Sequence, residues 1–563
     1  MSHAEDESVR DLQRVAAGTG LGLFGAIFRQ GLAAITLLLL ARLLVRYGGE
    51  AGLTQLGLIR LGISVTLIMV SLSKVGMDLV VTRFVSIYLV GGSRVEGPGS
   101  GVNDAEGEEA APPPALVPPR ASPDLPKVKG LIYGAVLWGG LVSVGLALAV
   151  TFLAPQIAAL YHKPRFEEPL RAFVWWVPAT VVTIILVGAV LARGSARARV
   201  NVRDLVVPVL YLLLAIVALR LRPGATGIGF AYTLSGGGGL LLALYYLHRF
   251  FPDLRGVKAE IPHRLLWLVG LPNLMVDLAG VGLSQADVVV LARLMPSAAV
   301  GIYGAAAAGL ASVALLPLLA LNQIIAPVIS RLYHHGQTAE LDRLLKTFTR
   351  LCVLLSVPVL ALFVGLAGPL LGLLGKDFLR ADLVLIIASA GILANVATGP
   401  VGFALVMTGY QWWAFVVNVL SLVALVAMIF WLAPLYGIVG AAIGVAISSS
   451  AVNLVRLGLV RRLLHVNPPS WPMLKSLLAG AVSAGAAYLL AHAAHVTGTQ
   501  PFLYLAVADL LLCGCGLAVY VAIIWLLGLE PSDREAGQAV LQRMRAQFIR
   551  NAVAGVRPPR FFS

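Results

Sequence analysis

Apolar residues run along this chain in long stretches separated by short polar breaks. A helix needs roughly 20 apolar residues to cross the hydrocarbon of a bilayer, and lipid cannot satisfy the open edge of a sheet, so such stretches predict helical spans. About fourteen are expected, beginning near Gly20, Leu53, Val128, Leu170, Asp204, Thr226, His263, Val300, Leu345, Ala381, Gln411, Gly437, Leu474 and Phe502. The first follows a polar head, MSHAEDESVRDLQRVAAG, and is longer than a signal-peptide core with no small-residue cleavage pattern behind it, which predicts a retained span.

Composition agrees with the pattern. Of 563 residues, 59% are hydrophobic and 12% charged, which excludes an ordinary soluble domain and predicts an all-α integral membrane protein. The net charge of +15 would suit a nucleic-acid partner, but the positions of the charges argue otherwise. When loops are assigned alternately to two sides, most of the 42 lysines and arginines share the side of the N-terminus, as with Arg193, Arg197, Arg199 and Arg203 in one loop and Arg456, Arg461, Arg462 and Lys475 in another. That asymmetry predicts two cytoplasmic termini and no nucleic-acid role. Cys352, Cys513 and Cys515 all fall within spans and imply no disulfide framework, zinc site or other metal centre. No cofactor is expected.

Two segments lie outside the helical pattern. Residues 91–127, rich in Pro, Gly and acids, predict a disordered cytoplasmic loop, either a tolerated insertion or a docking tail. Near the C-terminus, Val540, Leu541, Met544 and Phe548 share a helical face while Arg543, Arg545 and Arg550 lie elsewhere, predicting a helix on the anionic inner leaflet.

The chain also repeats. LARLL at Leu40 to Leu44 recurs as LARLM at Leu291 to Met295, each followed by a glycine-bearing start of the next span and then a basic helix end. APQIAALYHKPRF near Pro155 echoes AGPLLGLLGKDF near Pro369. Six spans, an even number, separate the copies, so the halves share one orientation and relate by an axis along the membrane normal. The expected organisation is a cytoplasmic head (1–19), a first lobe of six spans (20–262), a second of six (263–465), two extra spans (466–528) and a cytoplasmic amphipathic tail (529–563). Two pseudo-symmetric six-helix lobes would enclose a central cavity and rock about it.

Polar stripes suggest what lines that cavity. In the second span Arg60, Ser64, Ser71, Lys74 and Asp78 fall within about 40° of one another at 100° per residue. Asn273, Asp277, Gly280, Ser284 and Asp287 do the same in the seventh, and the first span offers Gly22, Gly25, Arg29, Ala33 and Thr36. A charge at the bilayer centre costs roughly 2.5–3.5 kcal/mol on the insertion scale, so these stripes should face protein or water. Arg29, Arg60 and Lys74 are then candidates for attracting an anionic substrate, a phosphate or diphosphate. The competing reading of Arg29 is a structural ion pair with Asp277 or Asp287, and Lys74 and Asp78 sit where they could simply snorkel. Asp277 and Asp287 would meet sugar hydroxyls, hold a coupling Na⁺ or H⁺, or balance the arginines. Pro317 and Pro327 bracket Asn322 and Gln323, and Asn395 precedes Gly399 and Pro400; such breaks either free backbone groups at a cavity or supply kinks. SGGGG at Ser235 to Gly239 lies within a span and reads as close helix packing, and GLLGKD lacks the spacing of a nucleotide loop.

The stretch LSQADVVVLARLMPSAAVGIYGAAAAGLASVALLPLLALNQIIAPVISRLYHHGQTAELDRLLK, with LLLLARLLVRYGGEAGLTQLG in the first half, resembles the oligosaccharide flippase (Wzx-type) branch of the multidrug, oligosaccharidyl-lipid and polysaccharide exporter superfamily. The resemblance covers most of the chain and fades in the last two spans. It implies a transporter, not an enzyme, in a bacterial cytoplasmic membrane, carrying undecaprenyl-diphosphate-linked oligosaccharide to the outer leaflet by alternating access around a cationic cavity. Glycosyltransferase or polymerase partners, and a coupling ion, would accompany that role. Asp287 and Arg293 match residue types of the family's seventh helix; Arg29, Arg60 and Lys74 match no fixed pattern. A lipid II flippase would share the architecture and the cavity. A cation-coupled drug exporter would keep an acid in the first span, and Leu21 to Leu44 has none. A membrane glycosyl ligase or polymerase would need a catalytic constellation on a large outer loop, whereas the longest here, around YHKPRFEEP, offers only charges of interfacial type. A scaffold that had lost transport would tolerate loss of the stripe charges.

Overall fold

The computed structural model describes residues 25–46, 48–90 and 123–528. Among these the regular structure is helical, and the fold is that of an all-α integral membrane protein. The N-terminal head, residues 91–122 of the acidic loop and the C-terminal tail lie outside the described residues, while 125–127, expected within the disordered loop, already belong to a helix. Asp124 explains the early start: its side chain accepts from the Lys127 backbone N–H and caps the helix, with Pro126 in the first turn.

Among the described residues thirteen helices are long and apolar enough to cross a membrane. Span 1 is Gly25–Arg46, span 2 Glu50–Lys74, span 3 Leu125–Leu160, span 4 Pro164–Ala192, span 5 Arg197–Leu221, span 6 Ala225–Phe250 and span 7 His263–Leu294. Span 8 is Ser297–Leu319, with helix running on to His334; span 9 is Thr338–Gly365 and span 10 Lys376–Thr398. Gln411–Leu464 counts once but bends back at Gly437, where φ is 62° and ψ −140°, and so supplies spans 11 and 12. Met473–Ala493 and Phe502–Leu527 are spans 13 and 14. The fourteen spans predicted from apolar runs are therefore present, with Gly437 marking the turn.

One sequence expectation needs correction. The polar stripe of span 2 does not continue as one helix to Asp78, because the helix stops at Lys74: Val75 and Gly76 are left-handed (φ 48° and 66°), and a second helix, Met77–Val90, carries Asp78. A Cβ at Gly76 would lie 2.5 Å from the Gly270 carbonyl oxygen of span 7, so this turn is held by direct backbone packing.

We use near face for the side where span 1 begins and far face for the other. In the far half both lobes share one core, from Leu40, Leu58 and Phe173 through Tyr303 to Phe378 and Ile429. In the near half the cores separate: one gathers Met77, Val81, Ile132 and Val177 of the first lobe with Leu266 and Leu274 of span 7, another gathers Ile325, Leu345, Leu405 and Val460 of the second. The far-face joint is tight because glycines let backbones touch. A Cβ at Gly57 would lie 1.8 Å from the Ser297 carbonyl oxygen, and one at Gly301 would lie 2.8 Å from that of Leu53. Lys163, in the loop between spans 3 and 4, donates to the Met295 carbonyl at 2.7 Å across the same joint.

Candidate functional site

Between the lobes lies a cavity of about 660 Å³ walled by spans 1, 2 and 4–8. Its polar lining includes Arg29, Gln30, Arg60, Ser71, Lys74, Arg203, Asp277, Ser284 and Gln285, with Trp176, Tyr211 and Tyr232 forming an aromatic side. Trp176 and Tyr232 are stacked with ring centroids 4.4 Å apart. Flat aromatic faces beside polar donors suit a ligand that is part sugar and part anion.

Two irregular turns shape the walls. Val200–Val206 of span 5 and Gly304–Leu310 of span 8 are wound with i→i+5 bonding, a widened turn that re-aims side chains and is often found at functional sites. The first puts Arg203 into the cavity, and the second presents Gly304, Ala305, Ala308 and Gly309. Span 1 rests on both: a Cβ at Gly25 would lie 2.8 Å from Asp204 Oδ2, and one at Gly309 would lie 2.3 Å from Leu37 Cδ2. Gln30 Nε2 donates to Ser312 Oγ at 3.1 Å, tying span 1 to span 8.

The charges divide into three groups. Lys74 Nζ meets Asp78 Oδ2 at 3.0 Å and Asp277 Oδ1 at 3.1 Å, and Ser71 Oγ donates to Asp277 Oδ2, so this lysine is matched by two carboxylates. Arg60 lies against Gly304 and interacts electrostatically with Asp287, while its Nε is shut from solvent without a hydrogen-bond partner among the described residues. Asp287 accepts from Tyr303 Oη at 3.0 Å and from the Val288 N–H at 2.8 Å. Arg29 and Arg203 form the third group: Arg29 Nε is 3.4 Å from Asp204 Oδ1, and Arg203 is repelled by Arg29 and Arg199 while drawn to Asp204 and Asp78. The Arg29 side chain stays 45% exposed, and Arg203 is exposed too. Cations thus outnumber the adjacent acid only in this third group.

The structure therefore brings Arg29, Arg60, Lys74, Asp277 and Ser284 to one cavity. Asp287 stands behind Arg60, outside the lining. Asn273 packs at Gly76 below the cavity, and Asn322 and Asn395 lie off it in the second lobe, Asn322 with its Oδ1 buried and unpartnered among the described residues. The side chain of Gln323 lies outside the described residues. The pairing of Arg29 with Asp277 or Asp287 does not form; its acid is Asp204, reached because Gly25 lets span 1 approach span 5. Arg203 and Asp204 were missed as site residues because Arg203 read as a loop cation and Asp204 as the start of a span. The signal lay in the string RARVNVRD, whose charges continue into an apolar run without the usual polar break.

The polysaccharide biosynthesis protein family matches residues 135–381, a stretch from span 3 into span 10 that crosses the joint between the lobes. No curated protein sequence matches the chain significantly. Solved structures of like fold include the lipid II flippase MurJ in an inward closed conformation (13% identity, TM-score 0.63, covering 90% of this chain and 98% of that one). An inward-facing multidrug resistance MATE family transporter follows at 16% identity and TM-score 0.57, covering 78% and 98%. A variant of a Vibrio cholerae MATE transporter matches at 15% identity and TM-score 0.55, covering 80% and 98%. The chain thus shares its fold with MurJ and the MATE transporters, and its family match, over residues 135–381, is to the polysaccharide biosynthesis proteins.

Proposed function

We propose that this protein carries an undecaprenyl-diphosphate-linked oligosaccharide from the cytoplasmic to the outer leaflet of a bacterial cytoplasmic membrane, by alternating access of its two lobes. The observation that carries the reading is the unequal charge of the cavity: Arg29 and Arg203 share one close acid, Asp204, and both remain accessible. Two guanidinium groups with spare donors suit a diphosphate, which offers planar oxygen pairs to fork-shaped partners. Lys74, matched by Asp78 and Asp277, instead fastens span 2 to span 7. Sugar rings then meet Trp176, Tyr232, Ser284 and Gln285. The near-face separation of the core shared by the first lobe and span 7 from that of the rest of the second lobe supports a cavity loaded from the cytoplasm, with both termini on that side.

Charge reversal at the spare cations tests this. In cells that depend on the protein, Arg29→Glu and Arg203→Glu are each expected to cut outer-leaflet display of labelled lipid-linked sugar at least tenfold, about 1.4 kcal/mol or more of lost recognition. Arg29→Lys keeps the charge and should retain part of it. Undiminished display in both reversals at equal protein level overturns the anion site.

A further inference from the structure

Span 14 holds a single acid, Asp509, about 10 Å along the helix from its far-face end. It is 3% exposed, and neither carboxylate oxygen has a hydrogen-bond partner among the described residues. Its neighbours one turn to either side on the same face, Leu505 and Leu512, belong to an apolar core with Leu366, Ala487 and Ala491. The elements packed against span 14 are spans 13 and 9 and the short helix Ala367–Gly372. None brings a counter-charge to that depth. Span 13 carries Lys475 at its near-face end, where it donates to the Gly528 carbonyl, and Tyr488 and His492, which are exposed and stacked on one another. Span 9 keeps Glu340, Asp342, Arg343, Lys346 and Arg350 in its near-face turns, with Cys352 just beyond, and the short helix has no titratable group. On span 14 itself Cys513 follows one turn on, Tyr504 and Cys515 are exposed, and Tyr520 donates to the Leu354 carbonyl.

An ionised carboxylate without donors in such a place costs several kcal/mol, and a bound proton removes the charge. A metal cation would need several oxygen ligands, and among the described residues no group of three acidic, histidine or cysteine side chains exists to supply them. A mechanical link lies on the same helix face. Seven residues before Asp509, Phe502 packs under the Arg42 guanidinium at 4.0 Å, and Arg42 Nε donates to the Leu373 carbonyl at 2.7 Å. Arg42 belongs to span 1, the helix that carries Arg29.

We propose that Asp509 is a proton-binding site. In the packing seen here it is a carboxylic acid; when span 14 parts from spans 9 and 13 it gives its proton to water at the far face and takes one back as the helices close. Phe502 and Arg42 pass that movement to span 1. The proton site stands by itself; its effect on transport rests on the function proposed above.

The full-length protein in liposomes tests both parts. Infrared spectra at neutral pH should contain a protonated-carboxyl C=O band that shifts in heavy water and is missing from Asp509→Asn. In the lipid-sugar display assay the wild type should change several-fold with far-side pH, Asp509→Glu should keep that response, and Asp509→Asn should lose it while still displaying lipid. Identical infrared spectra for wild type and Asp509→Asn overturn the site. An unchanged pH response in Asp509→Asn overturns the link to span 1. Absence of any display by the wild type would count against the transport reading, and the infrared band would still decide the proton site.

Discussion

At the scale of single residues, charges inside the membrane differ by how fully each is answered. Lys74 sits between Asp78 and Asp277 with side chains that are mostly buried, so its removal leaves two carboxylates facing one another. Breaking such a site on one side costs more than replacing the whole group, because the residual charge is uncompensated. Lys74→Gln should therefore destabilise the protein by about 2–4 kcal/mol, and adding Asp277→Asn and Asp78→Asn should restore much of that. Thermal unfolding of the purified single and triple variants measures the difference; additive losses would show that the three groups act independently. Arg29 contrasts with Lys74. The sequence singled out both as intramembrane cations, and their types and helical spacing placed them at a cavity, but their partners were illegible. Arg29 and Asp204 are far apart in the chain and meet only because Gly25 lacks a side chain.

At the scale of elements, apolar length made the spans legible, since the bilayer sets how much helix each needs. Periodicity failed where the backbone leaves α geometry. The stripe of span 2 assumed 100° per residue through Val75 and Gly76, which are left-handed, and the widened turns at Val200–Val206 and Gly304–Leu310 have no apolar signature. These irregularities position Asp78, Arg203 and Gly304, so the site was less readable than the fold. Gly76 is where this becomes testable. Its φ of 66° disfavours any side chain, and a Cβ would strike the Gly270 carbonyl, which belongs to rigid backbone. Gly76→Ala is expected to cost about 1–3 kcal/mol through combined strain and overpacking. Gly280→Ala, where a Cβ meets nothing within 4 Å, should be neutral or mildly stabilising in the same melts.

At the scale of the whole molecule, the lobes share a core in the far half, while in the near half span 7 packs with the first lobe and the rest of the second lobe keeps a core of its own. In this state the far-face joint is closed, and that joint depends on two helix backbones meeting at Gly57 and Gly301. Side chains there cannot be accommodated by rotamer changes, because the atoms struck are the Ser297 and Leu53 carbonyls. Gly57→Val should therefore wedge the joint and shift the population toward a state open at the far face. The shift is visible without transport. With Cys352, Cys513 and Cys515 replaced by serine or alanine, Ala33→Cys puts one thiol on the cavity wall. A membrane-impermeant thiol reagent should reach it readily from the near face and slowly from the far face. Adding Gly57→Val should raise far-face labelling about tenfold or more, which corresponds to a shift of about 1.4 kcal/mol between the two states. Equal far-face labelling with and without the valine, in variants of matched thermal stability, would mean that the glycine contact is packing alone and that the lobes part elsewhere.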